Sequence, residues 1–348
     1  MWEISPSILA GSAGLIIGLV LGYAARMGDF CTLNAIESAI YGDDQRRARL
    51  WGVVLGVAMI TLFAAEALGY ALITQSPYHS IAFNPMAAIF GGLIFGYGMA
   101  LAGNCGFGAL IRLGGGDLRS FLIVMIMAVT GFITLAGPLA PLRVSLFPQI
   151  EAETPQGFAH GFAALTGLSP LLLVVPLGLG LIALGLAHPH LRQTPRSAAW
   201  GALVGLAIAS AFIATSILHQ GTLEAVPVEG FTFTAPLGRT ILYLMTSSAG
   251  GLNFAVGSVV GVVLGAAIAA FWRRRFRWEA CEDPRELGRQ VAGACLMGVG
   301  GVIAVGCSVG QGVSAMATLA YSAPLVLVSI IAGALFGLRQ LLRGFQSA

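Results

Sequence analysis

Three cysteines stand where apolar stretches are interrupted by glycine and polar residues. Cys31 ends Arg26-Met-Gly-Asp-Phe-Cys31, Cys105 lies in Ala-Gly-Asn-Cys105-Gly-Phe-Gly, and Cys307 lies in Val-Gly-Cys307-Ser-Val-Gly-Gln. A thiol is a weak S–H donor and a soft partner, better matched to sulfur than to a hard oxyanion. The chain's five cysteines form no Cys-x-x-Cys pair and have no metal-ligating spacing to histidine, so neither a dithiol redox motif nor a metal site is expected. Cys281, in an arginine-rich connection, and Cys295, early in an apolar stretch, are expected to be incidental, the latter as a small buried hydrophobe. No cofactor is implied.

The elements that must position these thiols follow from composition. The chain has 348 residues, 57% hydrophobic and 9% charged, with 48 glycines. Ordinary soluble domains carry about 25% charged residues, so too little charge remains to coat a water-facing globule. Disorder, coiled coil and nucleic-acid binding are excluded on the same ground. The fold class expected is an all-α polytopic membrane protein whose non-protein surroundings are lipid. Apolar stretches of about 18–20 residues suffice to cross a bilayer. Nine are read, near 8–25, 50–73, 86–104, 120–138, 168–187, 198–218, 254–271, 290–306 and 322–340. The segment 236–271 is too long for one span and too short for two, so a short re-entrant piece is expected ahead of the span. The N-terminal stretch lacks a basic region and a clear cleavage site, and is read as a retained span.

All eighteen cations are arginine, and thirteen of them cluster at 46–49, 192–196, 273–289 and 339–343. The acidic residues Glu151, Glu153, Glu224 and Glu229 fall in other connections. Positive residues mark cytoplasmic loops. That places the N-terminus on the periplasmic side and the C-terminus in the cytoplasm, as nine crossings require. Gly-x-x-x-Gly pairs recur at Gly14/Gly18/Gly22, Gly52/Gly56, Gly92/Gly96, Gly201/Gly205 and Gly257/Gly261/Gly265, the spacing that lets helix backbones approach in lipid.

An internal repeat organises the whole chain as one membrane domain, 1–348. Gly96, Gly98, Cys105, Gly108, Ser120 and Gly131 recur 202 residues later as Gly298, Gly300, Cys307, Gly310, Ser322 and Gly333. A fainter copy has Gly18, Gly22-Tyr23 and Cys31 at the spacing of Gly92, Gly96-Tyr97 and Cys105, and a fourth begins at Gly201 and Gly205 with Ala214 at the cysteine position. The halves are expected near 8–138 and 198–340, with 168–187 as a linking span. A shift of five spans between copies flips one half across the membrane, giving inverted repeats, and in such folds the substrate site lies near the midplane. Half-helix N-termini there offer N–H groups and a positive dipole end to an anion.

At this point the chain resembles the YeeE/YedE sulfur-transport family of bacterial inner-membrane proteins, which includes thiosulfate uptake transporters. The resemblance is carried by Arg26–Cys31 after a glycine-rich span, by Gly96-Tyr-Gly-Met-Ala-Leu-Ala-Gly-Asn-Cys105-Gly-Phe-Gly-Ala-Leu-Ile-Arg112-Leu-Gly-Gly-Gly, and by Gly306-Cys307-Ser308-Val-Gly310-Gln-Gly312. It is faint over 140–200 and 219–250. The family pattern often has Gly-Gly-Cys where this chain has Gly103-Asn104-Cys105 and Val305-Gly306-Cys307. What the resemblance implies is inward carriage of thiosulfate, with the family's three functional cysteines falling on Cys31, Cys105 and Cys307. They would relay the ion by successive S–H···S contacts without a covalent bond. A cytoplasmic sulfurtransferase that takes the delivered sulfur is the partner the resemblance implies.

Other polar residues are weighed beside these. Arg26 and Arg112 follow apolar spans, where they either draw an anion or snorkel to the cytoplasmic face. Asn34, Asn104, Ser308 and Gln311 flank the breaks, where they either donate to substrate oxygens or satisfy local backbone. Glu66 is read as mid-span, where a carboxylate would be protonated or paired. His79, His160, His188, His190 and His219 are read as loop residues. Two classes of function remain: uptake of thiosulfate or a related small sulfur oxyanion, and a membrane thiol oxidoreductase or sulfurtransferase using the same cysteines covalently. The second wants a resolving cysteine or an activating base, and the sequence offers neither, so no enzyme is expected. A neutral-solute channel would leave the thiols without a reason.

Overall fold

A helix with glycines along one stripe lets another backbone come close, and in lipid such packing holds helices together where the hydrophobic effect does not. The computed structural model describes residues 5–42, 44–187, 194–247, 251–280 and 283–346. Its regular elements are all helical. In chain order they are α1 (Pro6–Met27), α2 (Thr32–Tyr41), α3 (Arg46–Ala67), α4 (Pro77–Ser80), α5 (Pro85–Ala102), α6 (Gly106–Gly114), α7 (Leu118–Leu135), α8 (Ala140–Leu146) and α9 (Phe158–Thr166). They continue as α10 (Leu171–Leu186), α11 (Pro195–Gly221), α12 (Ala235–Thr246), α13 (Phe254–Trp272), α14 (Pro284–Ile303) and α15 (Ser322–Gln346), with a π-helical stretch, Gly310–Ala315, ahead of α15.

Helix starts follow local chemistry. Asn84, Asp117, Asn253 and Asp283 cap α5, α7, α13 and α14 by accepting backbone N–H bonds, and Pro85 and Pro284 stand where their missing N–H costs nothing. Among the described residues, seven helical stretches are long and apolar enough to cross a membrane. They contain α1, α3, α5, α7, α11, α13 and α15. The two other expected spans are also helices, α10 being shorter and α14 opening on Arg285, Glu286 and Arg289. The segment 236–271 resolves into the short helix α12 and the longer α13.

The closest packing is between α1 and α13. Methyl groups at Gly14, Gly18 and Gly22 would strike the carbonyl oxygens of Phe254, Ser258 and Val262. Conversely, methyls at Gly257, Gly261 and Gly265 would strike those of Gly11, Leu15 and Leu19. The two helices thus mesh backbone against backbone. α5 and α14 meet the same way, Gly98 against Gly293 and Gly91 against Gly300. Pairing across the chain runs by exchange: α1 packs on α13 and α3 on α11, while α5 packs on α15 and α7 on α14.

Several expectations are corrected. The span read as 50–73 ends at Ala67, and a turn over 68–72 leads into a 3₁₀ turn, Ile73–Gln75, before α4. Glu66 therefore sits at the helix end, and it is paired with His160. Ala214, the fourth cysteine-equivalent position, lies inside unbroken α11, so this quarter has its interruption later, at 222–234. No glycine or proline stands near Ala214, and the adjacent Thr215 returns its hydroxyl to Ala211 O within the helix, so the helix has no reason to stop there. His79, His160 and His219 are on α4, α9 and α11, not in loops. Cys281, His188, His190 and Arg192 lie outside the described residues.

The packing gives a paired test. Gly22→Ala forces a methyl into the Val262 backbone and should lower stability by about 1–3 kcal/mol, the usual cost of overpacking. Gly180→Ala on α10 meets open space and should leave stability unchanged or raise it by up to about 1 kcal/mol. Thermal unfolding in detergent reads both. Equal loss in the two variants would show that the α1–α13 contact is not the tight one.

Candidate functional site

Each of the three cysteines follows a helix that ends in the same way. The residue two positions before the sulfur is in the left-handed region: Asp29 (φ 50°), Gly103 (φ 74°) and Val305 (φ 57°). In this conformation the chain folds back and the terminal carbonyls find partners, Phe30 N–H donating to Ala25 O and Gly306 N–H to Gly301 O. Glycine takes this shape freely and aspartate tolerates it, but for β-branched Val305 it is strained. Beyond each turn a second, shorter helical segment begins.

At two of these new N-termini the sulfur does the capping. Cys105 Sγ accepts from Gly108 N–H at 3.4 Å, and Cys307 Sγ accepts from Gly310 N–H at 3.3 Å, the same three-residue step. Cys31 stands at the same N-cap position before α2, but its sulfur makes no capping hydrogen bond there. Cys307 Sγ has a further donor, Phe233 N–H at 3.3 Å, supplied by the extended stretch before α12. That stretch is the fourth quarter's contribution: main-chain N–H and hydroxyl in place of a thiol.

The three sulfurs come together. Those of Cys31 and Cys105 both overlie Gly108, where a methyl would lie 3.8 and 3.6 Å from them. Thr32 Oγ1 accepts from the Cys105 thiol at 4.0 Å and donates to Ser308 Oγ at 3.3 Å, beside Cys307. Cys105 and Cys307 are buried and Cys31 is half-buried, and none is in a disulfide. Around them the rings of Phe107 and Phe233 stack at 5.0 Å, Phe231 lies 6.0 Å from Phe233, and Phe30 stacks on Trp51 at 5.2 Å. Apolar walls with a few convergent donors are the usual make-up of a small-ligand site.

The two ends of this row differ. On the Cys31 side, Arg112 bears on the thiol, and Arg26 is neighboured by Arg112, Arg273, Arg275 and the single carboxylate Asp29. Arg273 donates to Met27 O and approaches Asp29 at 3.7 Å. On the Cys307 side lies a cavity of about 260 Å³, lined among others by Tyr78, Thr232, Thr234, Glu229, Arg239 and Gly306. Thr232 Oγ1 donates to Cys307 Sγ at 3.9 Å, and Arg239 pairs with Glu229 at 3.0 Å.

Of the other residues singled out from sequence, Ser308 is in the row. Buried Asn104 has an amide oxygen without a partner among the described residues. Amide orientation is an assignment, so this group can equally present its NH₂. Gln311 is fully engaged, donating to Ala304 O and Val305 O and accepting from Ser322 Oγ, and it braces the break before Cys307. Asn34 is on the first turn of α2, with its carbonyl taken by Ser38. Sequence reasoning missed Thr32, Thr232, Tyr78 and the Glu229–Arg239 pair. Thr32 had a signal, since Cys-Thr at 31–32 parallels Cys-Ser at 307–308. Glu229 and Thr232 come from a connection, and Tyr78 and Arg239 from the short helices α4 and α12, none of which carries the repeat pattern.

The chain as a whole resembles known proteins. Residues 27–336 match the family described as Sulphur transport. The chain is 27% identical over 332 residues to the thiosulfate transporter TsuA of Escherichia coli (strain K12), covering 92% of each chain. It is 25% identical over 329 residues to the thiosulfate transporter TsuA of Spirochaeta thermophila, covering 92% of this chain and 96% of that one. All three breaks fall inside the matched region, and the chain belongs to the sulphur transport family of multi-pass membrane proteins.

Proposed function

We propose that the chain carries thiosulfate inward across the bacterial inner membrane along the row Cys307, Cys105, Cys31. The observation that carries the reading is the convergence of three sulfurs on half-helix N-termini, in a chain that belongs to this family. Thiosulfate has a soft terminal sulfur and a hard, charged SO₃ end. Thiols suit the first, whereas N–H groups, hydroxyls and positive helix ends suit the second. Each thiol offers an S–H to the terminal sulfur, and release at one is matched by capture at the next, so no covalent bond is made.

Entry is at the cavity beside Cys307. There the dianion draws Arg239 from Glu229, while Thr232 and Tyr78 offer hydroxyls. Exit is at Cys31, under the field of Arg26, Arg112 and Arg273. That end carries the arginine clusters, so it faces the cytoplasm by the positive-inside rule, with the N-terminus periplasmic and the C-terminus cytoplasmic. The exchanged helix pairings support reading the chain as two inverted halves about α10. A cytoplasmic sulfurtransferase is the acceptor this direction calls for.

Uptake of labelled thiosulfate tests the relay. Cys105→Ser keeps a good helix cap but replaces soft sulfur with hard oxygen. It and Cys307→Ala should each lower uptake roughly tenfold or more, the value of one hydrogen bond to a charged group. Wild-type uptake by the serine variant would sink the soft-sulfur argument, and a persulfide found by mass on any of the three would favour the sulfurtransferase reading. Arg239→Gln should raise the substrate concentration for half-maximal uptake several-fold, roughly the effect of a partly exposed charge contact, and leave the maximal rate within about twofold. An unchanged half-saturation value would remove Arg239 from the entry site.

A further inference from the structure

Away from the thiols, three titratable side chains meet in a place the relay does not use. His160 Nε2, on α9, lies 3.0 Å from Glu66 Oε1 at the end of α3. The His160 ring meets the His79 ring edge-on, centroids 5.3 Å apart. His79, only 1% exposed, has Nε2 3.1 Å from Thr318 O, which makes Nε2 the protonated nitrogen. The Nδ1 atoms of both histidines are buried with no partner among the described residues. Their surroundings are the Phe63 ring from α3, the Tyr321 hydroxyl against Gly161 of α9, and α10, whose sequence has no titratable side chain. Glu66 is the one charged residue of the group.

Each of these neighbouring imidazoles has a buried Nδ1 without a partner among the described residues, open to an added proton. The carboxylate of Glu66 offsets the charge this brings. Burial and the neighbouring His160 hold His79 down to about 4, so His79 stays neutral near pH 7.

The group is joined to the pathway by α4. This one-turn helix carries His79 and, next to it, Tyr78, whose hydroxyl faces Thr232 and Cys307. Gly157 leaves room for the His79 ring, since any side chain there would strike it. His79 also ties α4 to the segment that follows the π-helical stretch.

We propose that Glu66, His160 and His79 form a proton-binding site that controls passage at Cys307 through α4 and Tyr78. It rests on the transport reading above. The added proton strengthens the His160–Glu66 pair and, through the His79 ring packed on His160, steadies α4 and holds Tyr78 over Cys307, so external acid slows uptake.

The test uses the full chain in vesicles of neutral lipid, with membrane potential clamped and internal pH fixed. Thiosulfate stays a dianion throughout, so external pH acts on the protein. Wild-type uptake should rise roughly threefold or more from about pH 5.5 to about pH 7.5, the range in which histidine titrates. Glu66→Gln and His160→Gln should retain uptake and lose the slope. Tyr78→Phe should lose the slope while His160 still titrates by imidazole NMR. A flat or inverted wild-type profile, or an unchanged slope in the Glu66 and His160 variants, overturns the proposal. Absence of thiosulfate uptake in the wild type would fail the transport reading instead. The proton site is then decided by NMR alone: it stands if a His160 inflection shifts in Glu66→Gln, and falls if none does.

Discussion

In the hydrocarbon of a membrane each unpaired backbone N–H or C=O costs several kcal/mol, and the rest of this structure follows from that constraint. A helix broken at membrane depth must cover its carbonyls and leave its N–H groups facing something that accepts. Here left-handed turns at Asp29, Gly103 and Val305 cover the carbonyls, and the sulfurs of Cys105 and Cys307 meet N–H groups at the next helical start. The cysteines therefore have two tasks that are one geometry. They quiet the backbone when the site is empty, and they are the soft surface that a sulfur-bearing anion would meet.

Glycine makes the breaks affordable. Helices that mesh backbone to backbone need few large side chains between them, and buried rings stand near the sulfurs. Phe107, Phe231, Phe233 and Phe30 exclude water from the row, which strengthens each N–H and S–H contact there by lowering the local dielectric.

How much of this was legible in the sequence depends on which physical signal was involved. Span positions could be read because hydropathy acts over many residues. The breaks at Cys31, Cys105 and Cys307 could be read because glycine and polar residues weaken a helix where they interrupt an apolar run. What failed was local. The position of Glu66 turned on where α3 stops, and Leu68, Gly69 and Tyr70 gave no strong end signal to a window average. Ala214 inherited a break from register alone, although nothing in its surroundings would stop a helix. Thr232 and Phe233 reach Cys307 from a connection, and only the fold brings a segment 74 residues away against the sulfur. Side-chain pairings such as Glu66–His160 are long-range contacts, which periodicity does not encode.

The meshed α1–α13 contact also limits how the molecule can move. Carbonyl oxygens seated over glycines act as teeth, and sliding by one residue would drive each tooth into a side chain. α5 and α14 are locked in the same fashion. A cycle in which whole halves rock past one another would have to disengage both racks at once. Mobility is left to the parts that are not geared: the four-residue α4, the extended stretch before α12, and individual side chains. A solute handed along such a frame would be moved by small local displacements within a stationary scaffold.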